Sequence, residues 1–188
     1  MNEPDFRVAA LLALAAVAFT FLGGVRKVFR RPPGPHRYRA SLVSGLVLAS
    51  EGAAIATRPV PGLRMAAAAA ILAASLALFL WAARANRDRP LMLAFAATAP
   101  EHLQTRGPYA FVRHPFYTSY LLAFLGGLVA AATPWLVPAV ALGALTYWRA
   151  ASREERSFAE SPLCDTHREY AARVGMFVPR VFTLRGDR

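Results

Sequence analysis

Residues 116–151 read FYTSYLLAFLGGLVAAATPWLVPAVALGALTYWRAA, with no charged side chain before Arg149. Thr133-Pro134 divides this stretch into two apolar runs, 116–132 and 134–151. At 1.5 Å rise per residue, a helix of about 18–20 residues crosses a hydrocarbon core of ~30 Å. Backbone groups inside lipid must pair within their own segment, so runs of this kind are helices. The divider is short, so the two helices form a tight hairpin, and Pro134 suits the first turn of the second one.

Three similar runs precede this hairpin, at 8–25, 40–57 and 65–83. The Ala-rich third run is helix-prone as well as apolar, and small residues throughout permit close helix approach. Of the 188 residues 56% are hydrophobic and 18% charged, with mean hydropathy +0.33. A soluble domain carries more charge than this and spreads its apolar residues over amphipathic faces. The expected fold is an all-α integral membrane protein of five transmembrane helices.

The net charge of +11 lies between the apolar runs rather than in one nucleic-acid-binding patch. Nucleic acid is therefore excluded as a partner. Arg26, Lys27, Arg30, Arg31, Arg37 and Arg39 follow the first run, and Arg84, Arg87, Arg89, Arg106 and Arg113 follow the third. Arg149, Arg153, Arg156, Arg168, Arg173, Arg180, Arg185 and Arg188 follow the fifth. The opposite connections hold Arg7, Arg58 and Arg64. The positive-inside rule then gives an N-outside, C-inside chain with a cytoplasmic C-terminal segment. Glu3 and Asp5 replace the basic start of a secretory signal, so the first helix is expected to be retained. The composition is rich in Ala and Arg, with Lys27 the only lysine. That suits a GC-rich bacterial coding sequence and hence a bacterial inner membrane. Cys164 is the only cysteine and can form no intrachain disulfide.

Two polar clusters flank the 116–151 hairpin. Arg106-Gly107-Pro108-Tyr109-Ala110-Phe111-Val112-Arg113-His114-Pro115 leads into it, and Arg153-Glu154-Glu155-Arg156 leaves it. Adjacent helix ends lie ~8–10 Å apart, so the clusters are neighbours at the cytoplasmic surface, with room for a cofactor-sized pocket.

Gly107-Pro108-Tyr109-x-x-Val112-Arg113-His114-Pro115-x-Tyr117 resembles the signature of the isoprenylcysteine carboxyl methyltransferase family. Glu154-Glu155, Tyr170 and Val178-Pro179 are similar to that family's C-terminal pattern. Membrane methyltransferases acting on phospholipid amines share a looser version, including the paired glutamates. The resemblance covers about residues 84–188 and divides the single structural domain into a three-helix membrane part, 1–83, and a catalytic part, 84–188. It implies S-adenosylmethionine as cofactor, held by Tyr109, Val112, Arg113, His114, Pro115, Tyr117, Glu154, Glu155 and Tyr170. Arg113, His114 and Tyr117 carry the catalytic assignment. The implied reaction is methyl transfer to a lipophilic isoprenoid- or lipid-type acceptor, such as a carboxylate, entering from the bilayer.

The chemistry of these residues suits that role. Carboxylates accept hydrogen bonds from ribose hydroxyls or an ammonium group. The start of a helix offers amides and partial positive charge to a cofactor carboxylate, and Arg113 could reinforce it. His114 precedes a proline and is held extended. Tyr109, Tyr117 and Tyr120 can stack on adenine or line an acceptor channel. A carboxylate acceptor needs no general base; for an amine or hydroxyl, His114 is the nearest candidate.

The chain departs from the pattern at Ser119, where glycine is usual, and in a longer segment from Glu155 to Tyr170 containing Ser161-Pro162 and Leu163-Cys164-Asp165. Other readings of the same residues are a helix anchored at the headgroups by Arg113 and a solvated Glu154-Glu155 helix end. Two other functions fit the pattern: an NADPH-dependent reductase of isoprenoid or sterol double bonds, and a non-catalytic homologue that binds lipid or protein. Glu51 lies inside the second run and is expected to act in function, to bond between helices as a protonated group, or to lie near the outer face beside Arg58. His36, His102 and His167 lack metal-ligand spacing and are expected at the surface. Trp81, Trp135, Tyr147 and Trp148 read as a membrane-interface belt.

Overall fold

The computed structural model describes residues 4–30, 39–87, 91–92 and 102–180, with side chains from 4–24, 40–87 and 102–180. Pro32-Pro33-Gly34-Pro35, His36, Arg31, Arg37, Arg89, Arg185 and Arg188 lie outside them, as do the side chains of Arg26, Lys27, Arg30 and Arg39.

Each apolar run forms a helix: α1 Arg7–Val28, α2 Arg39–Ala56, α3 Gly62–Ala85, α4 Pro115–Ala131 and α5 Val137–Ala159. Pro134 opens a separate one-turn 3-10 helix, Pro134–Leu136, and α5 begins after it with Pro138 in its first turn. The tail contains a further helix, α6 Cys164–Arg173, which begins in the segment where the chain departs from the family pattern. Two short strands, β1 Phe29–Arg30 and β2 Leu91–Met92, pair in parallel with Phe29 opposite Leu91.

Among the described residues two windows are long and apolar enough to cross a membrane: Arg7–Gly24, 18 residues at mean hydropathy 1.9, and Gly62–Ala85, 24 residues at 2.2. Ala40–Ala56 and Pro115–Ala131 are shorter apolar helices. The two long windows are only 22% and 28% buried, whereas the core helix of a soluble protein is mostly buried. Leu12, Phe19, Leu22, Leu42, Leu46, Leu63, Leu125 and Leu142 all face outward. An apolar exterior of this extent suits lipid rather than water.

The long helices alternate in direction. Arg7 bonds through Nη1 to the carbonyl of Ala56, and the Phe6 amide donates to Val60, tying the start of α1 to the end of α2 and the loop after it. Ser75 of α3 donates to the carbonyl of Ser119 in α4 at 2.7 Å, while further along Leu72 meets Gly126. α4 lies at the centre, against α3 most extensively and also against α2, α5 and α1. Its Gly126-Gly127 pair allows this closeness. A Cβ at Gly126 would lie 2.8 Å from Leu72, and one at Gly127 would overlap the Glu51 carboxylate. Glu51 is fully buried there, and among the described residues neither of its carboxylate oxygens has a hydrogen-bond partner.

The core at one end is aromatic. Phe21 contacts Phe79 and Tyr120 at centroid distances of 4.8 and 4.7 Å, and Tyr147 contacts Tyr120 at 5.0 Å and Tyr117 at 5.2 Å. Tyr147 is therefore a core residue, 4% exposed and bonded to Ser44 at 2.6 Å, and not part of a surface belt. Trp81, Trp135 and Trp148 are exposed.

Candidate active site

The end of the molecule where α3 and α5 finish and α4 starts is built by backbone pairing. Gly107, at φ 64°, opens a 3-10 turn, Gly107–Ala110, against Ala85 and Trp81 at the end of α3. A positive φ of this size favours glycine. Asn86, 2% exposed, donates through Nδ2 to the Ala82 carbonyl at 2.7 Å and to the Tyr109 hydroxyl at 3.0 Å. Val112 then pairs as an isolated parallel bridge with Gly175. The amides of Arg113 and His114 donate to the carbonyls of Gly175 and Met176 at 2.9 and 3.1 Å. The chain beyond α6 thus returns alongside the segment that leads into α4.

This frame brings Arg113, His114, Tyr117, Glu154 and Glu155 together. The Arg113 side chain is 9% exposed and donates through Nε to Oε1 of Glu155 at 2.7 Å. Its Nη1 donates to the carbonyls of Ala171 and Val174. His114 stands between the two glutamates, with Nδ1 at 3.3 Å from Oε2 of Glu154 and Nε2 at 3.1 Å from Oε1 of Glu155. Tyr117 donates to Oε1 of Glu154 at 2.5 Å, and its ring stacks on the imidazole at 5.5 Å. Glu154 is the most open member, at 33% side-chain exposure.

The electrostatics follow from this arrangement. Burial of His114 opposes its protonation, but the hydrogen bonds and charges of Glu154 and Glu155 outweigh that and raise its pKa above the ordinary imidazole value. Burial likewise opposes ionisation of Glu155; the bonds from His114 and Arg113 and their charges win and hold it down at about 2. His114 and Arg113 both address Oε1 of Glu155, and among the described residues Oε2 of Glu155 takes no bond.

The remaining sequence-assigned residues form the frame. Tyr109 is buried and Tyr170 donates to its carbonyl at 2.6 Å, so these two fasten α6 to the turn before α4. Pro115 is the first residue of α4. Ser119, fully buried, bonds back to the carbonyl of Phe116 at 2.7 Å, so its hydroxyl is satisfied inside α4. His167 is partly buried and stacked on Phe158 at 4.7 Å rather than free at the surface.

Sequence reading missed Asn86, Thr118 and the 174–177 return. Thr118 donates to the carbonyls of His114 and Phe177 at 3.0 and 3.3 Å. An asparagine ending an Ala-rich apolar helix was the one available signal for Asn86. Backbone pairing across some sixty positions leaves no periodic trace.

The fold and this cluster define an all-helical protein with two membrane-length helices and a histidine–carboxylate site where the start of α4 meets the end of α5. The chain belongs to the phospholipid methyltransferase family, whose model matches residues 63–161. This is a family of methyltransferases acting on lipid-type substrates. The match begins in α3, earlier than residue 84, and takes in Arg113, His114, Tyr117, Glu154 and Glu155 but ends before α6 and Tyr170. No curated protein and no solved structure matches the chain.

Proposed function

We propose that the chain is an integral membrane enzyme that moves a methyl group from S-adenosylmethionine to a lipophilic acceptor at the meeting point of α4 and α5. The observation that carries this reading is the His114 imidazole held between Glu154 and Glu155. The family match supports transfer and lends nothing to the reductase alternative.

The residues present fit this cofactor. Oε2 of Glu155 is unclaimed among the described residues, and Glu154 is partly open, so the pair offers acceptors for an ammonium group and ribose hydroxyls. S-adenosylmethionine, when bound, supplies an electrophilic methyl group on a sulfonium cation, and two carboxylates suit that charge. Arg113 spends Nε on Glu155 and Nη1 on the end of α6, so it positions Glu155 and joins α5 to α6. Tyr117 and His114 fix the Glu154 carboxylate from two sides. Alignment of acceptor, methyl and sulfur is the main task of such a site, and a rigid cluster serves it.

The acceptor is a lipid entering from the bilayer. A carboxylate acceptor needs no proton removed. A phospholipid amine, which the family match favours, must lose one. His114 and the partly open Glu154, which adjoin each other, are the groups nearest to receive that proton.

The membrane arrangement completes the reading. All five long helices cross the bilayer, with residues 1–83 as a supporting part and 84–188 as the catalytic part. The cluster lies at the end carrying Arg84, Arg87, Arg106, Arg113, Arg149, Arg153 and Arg156, and the far end carries Arg7, Arg58 and Arg64. By the positive-inside rule the site faces the cytoplasm, and the Ala- and Arg-rich composition suits a bacterial inner membrane.

The test is incubation of the purified protein with methyl-labelled donor and a host lipid extract. Label should enter the lipid fraction. Label released by alkali as volatile methanol marks a methyl ester, and label that stays non-volatile after the same treatment marks an N-methyl product. No incorporation by the folded protein into any lipid would count against the proposal.

A further inference from the structure

Asn86 and Tyr109 leave two polar functions open next to the histidine–carboxylate cluster. Asn86 follows the last residue of α3 and is 2% exposed. Its Nδ2 donates to the Ala82 carbonyl at 2.7 Å and to the Tyr109 hydroxyl at 3.0 Å. The carbonyl fixes the orientation of the amide, because the reverse would set two acceptors face to face. Oδ1 is then left over: it is buried and has no hydrogen-bond partner. The Tyr109 oxygen accepts from Nδ2, so its own proton remains to be donated, and among the described residues no acceptor takes it. Burial raises the pKa of this hydroxyl, the bond from Asn86 opposes the rise, and the charges of Glu154 and Tyr170 add to it. The hydroxyl therefore keeps its proton at neutral pH, and Glu154 lies within its electrostatic reach. Buried polar groups are nearly always paired, so an open acceptor beside an open donor marks the place of something that supplies both.

We infer that Asn86 Oδ1 and the Tyr109 hydroxyl bind the edge of the cofactor's adenine, Oδ1 accepting from the 6-amino group and the hydroxyl donating to N1. The inference rests on the cofactor reading proposed above, and Asn86 is new to it. The glutamates already provide for the ammonium group and the ribose hydroxyls. Adenine is the part that remains, and its edge presents one donor beside one acceptor, the complement of what the pair leaves open. Different elements hold the two partners: Asn86 stands at the end of α3, and Tyr109 sits in the Gly107–Ala110 turn that leads towards α4. Tyr109 is 6% exposed, so bonds made here are shut off from water and are stronger for it. A site of this kind rejects a base whose donors and acceptors are exchanged.

The test is competition against labelled S-adenosylmethionine on the purified full chain. S-adenosylhomocysteine and S-inosylhomocysteine differ only at this edge, where hypoxanthine has a carbonyl in place of the amino group and an N–H in place of N1. The inosine compound should compete at least about a hundredfold more weakly, because both bonds are mismatched. In folded Tyr109→Phe and Asn86→Ala the ratio should fall to about tenfold or less, since each removes one mismatch. The 1-deaza analogue of S-adenosylhomocysteine lacks N1. It should bind the native chain about tenfold more weakly than the parent compound, and Tyr109→Phe as well as the parent does. If Asn86→Ala does not fold, Tyr109→Phe, which keeps the ring and loses only the hydroxyl, gives the same reading. Equal competition by the adenine and inosine compounds in the native chain overturns the inference and leaves donor binding intact. A ratio unchanged in a folded variant also overturns it, and makes a buried water the occupant. No saturable binding of S-adenosylmethionine by the native chain removes the cofactor reading and the inference with it.

Discussion

His114 and Glu155 support each other, and their titration tests this. Glu155 is held down at about 2 against 4.5 for an ordinary glutamate. Its contribution to stability is present above the ordinary value and is lost as pH falls through about 2. His114 is raised above 6.5, so its contribution is full below that value and is lost as pH rises through the folded, higher one. Thermal unfolding of the native chain and of His114→Gln should therefore differ most below pH 6.5 and converge in alkali. A difference independent of pH would contradict the network. Arg113→Lys keeps the charge but loses the planar fork that serves Glu155 and the carbonyls of Ala171 and Val174 together. It should cost about 2–3 kcal/mol, read by chemical denaturation in detergent, with Arg113→Ala costing at least as much.

At the scale of elements, close packing of α4 is the feature to test. Gly127→Ala should destabilise by about 1–3 kcal/mol, because the new methyl meets the buried Glu51 carboxylate. Glu51→Ala should relieve part of that cost, so the double variant will be more stable than the sum of the singles implies. Strict additivity in unfolding measurements would mean that the two residues do not meet. The helices themselves were legible in the sequence. Runs of uninterrupted apolar residues bounded by charge or proline have few alternatives in lipid, and α1 to α5 fall on them within a few residues, except for the polar extension of α5 to Ala159. The meeting of the two polar clusters was legible because the hairpin joins the helix ends that carry them, while Arg113, His114, Tyr117, Glu154 and Glu155 were singled out within those clusters by the family resemblance. What escaped was set by long-range backbone geometry. α6 is short and polar, it follows Ser161-Pro162, and it is tied down by Tyr170 bonding to the Tyr109 carbonyl and by Arg113 bonding to Ala171 and Val174. Tyr109 and Arg113 make long-range bonds that escaped for the same cause. Sequence shows which groups can bind a cofactor but not which are already occupied by Asn86, Glu155 or the end of α6.

At the scale of the whole molecule, orientation is the claim that the charge distribution makes. Cys164, the only cysteine, is partly exposed at the start of α6, at the same end as the candidate site. In intact spheroplasts it should resist a membrane-impermeant thiol reagent, and it should react once the membrane is opened. Reaction in intact cells would reverse the proposed topology. The central claim concerns the site, and donor binding tests it most directly. Equilibrium binding of labelled S-adenosylmethionine to the purified native chain should be saturable. In the folded Glu154→Gln/Glu155→Gln variant it should weaken by about tenfold or more, since each lost charge-assisted bond contributes about 1.5–3 kcal/mol. A folded double variant that binds the donor as tightly as the native chain would contradict the assignment of this cluster as the cofactor site.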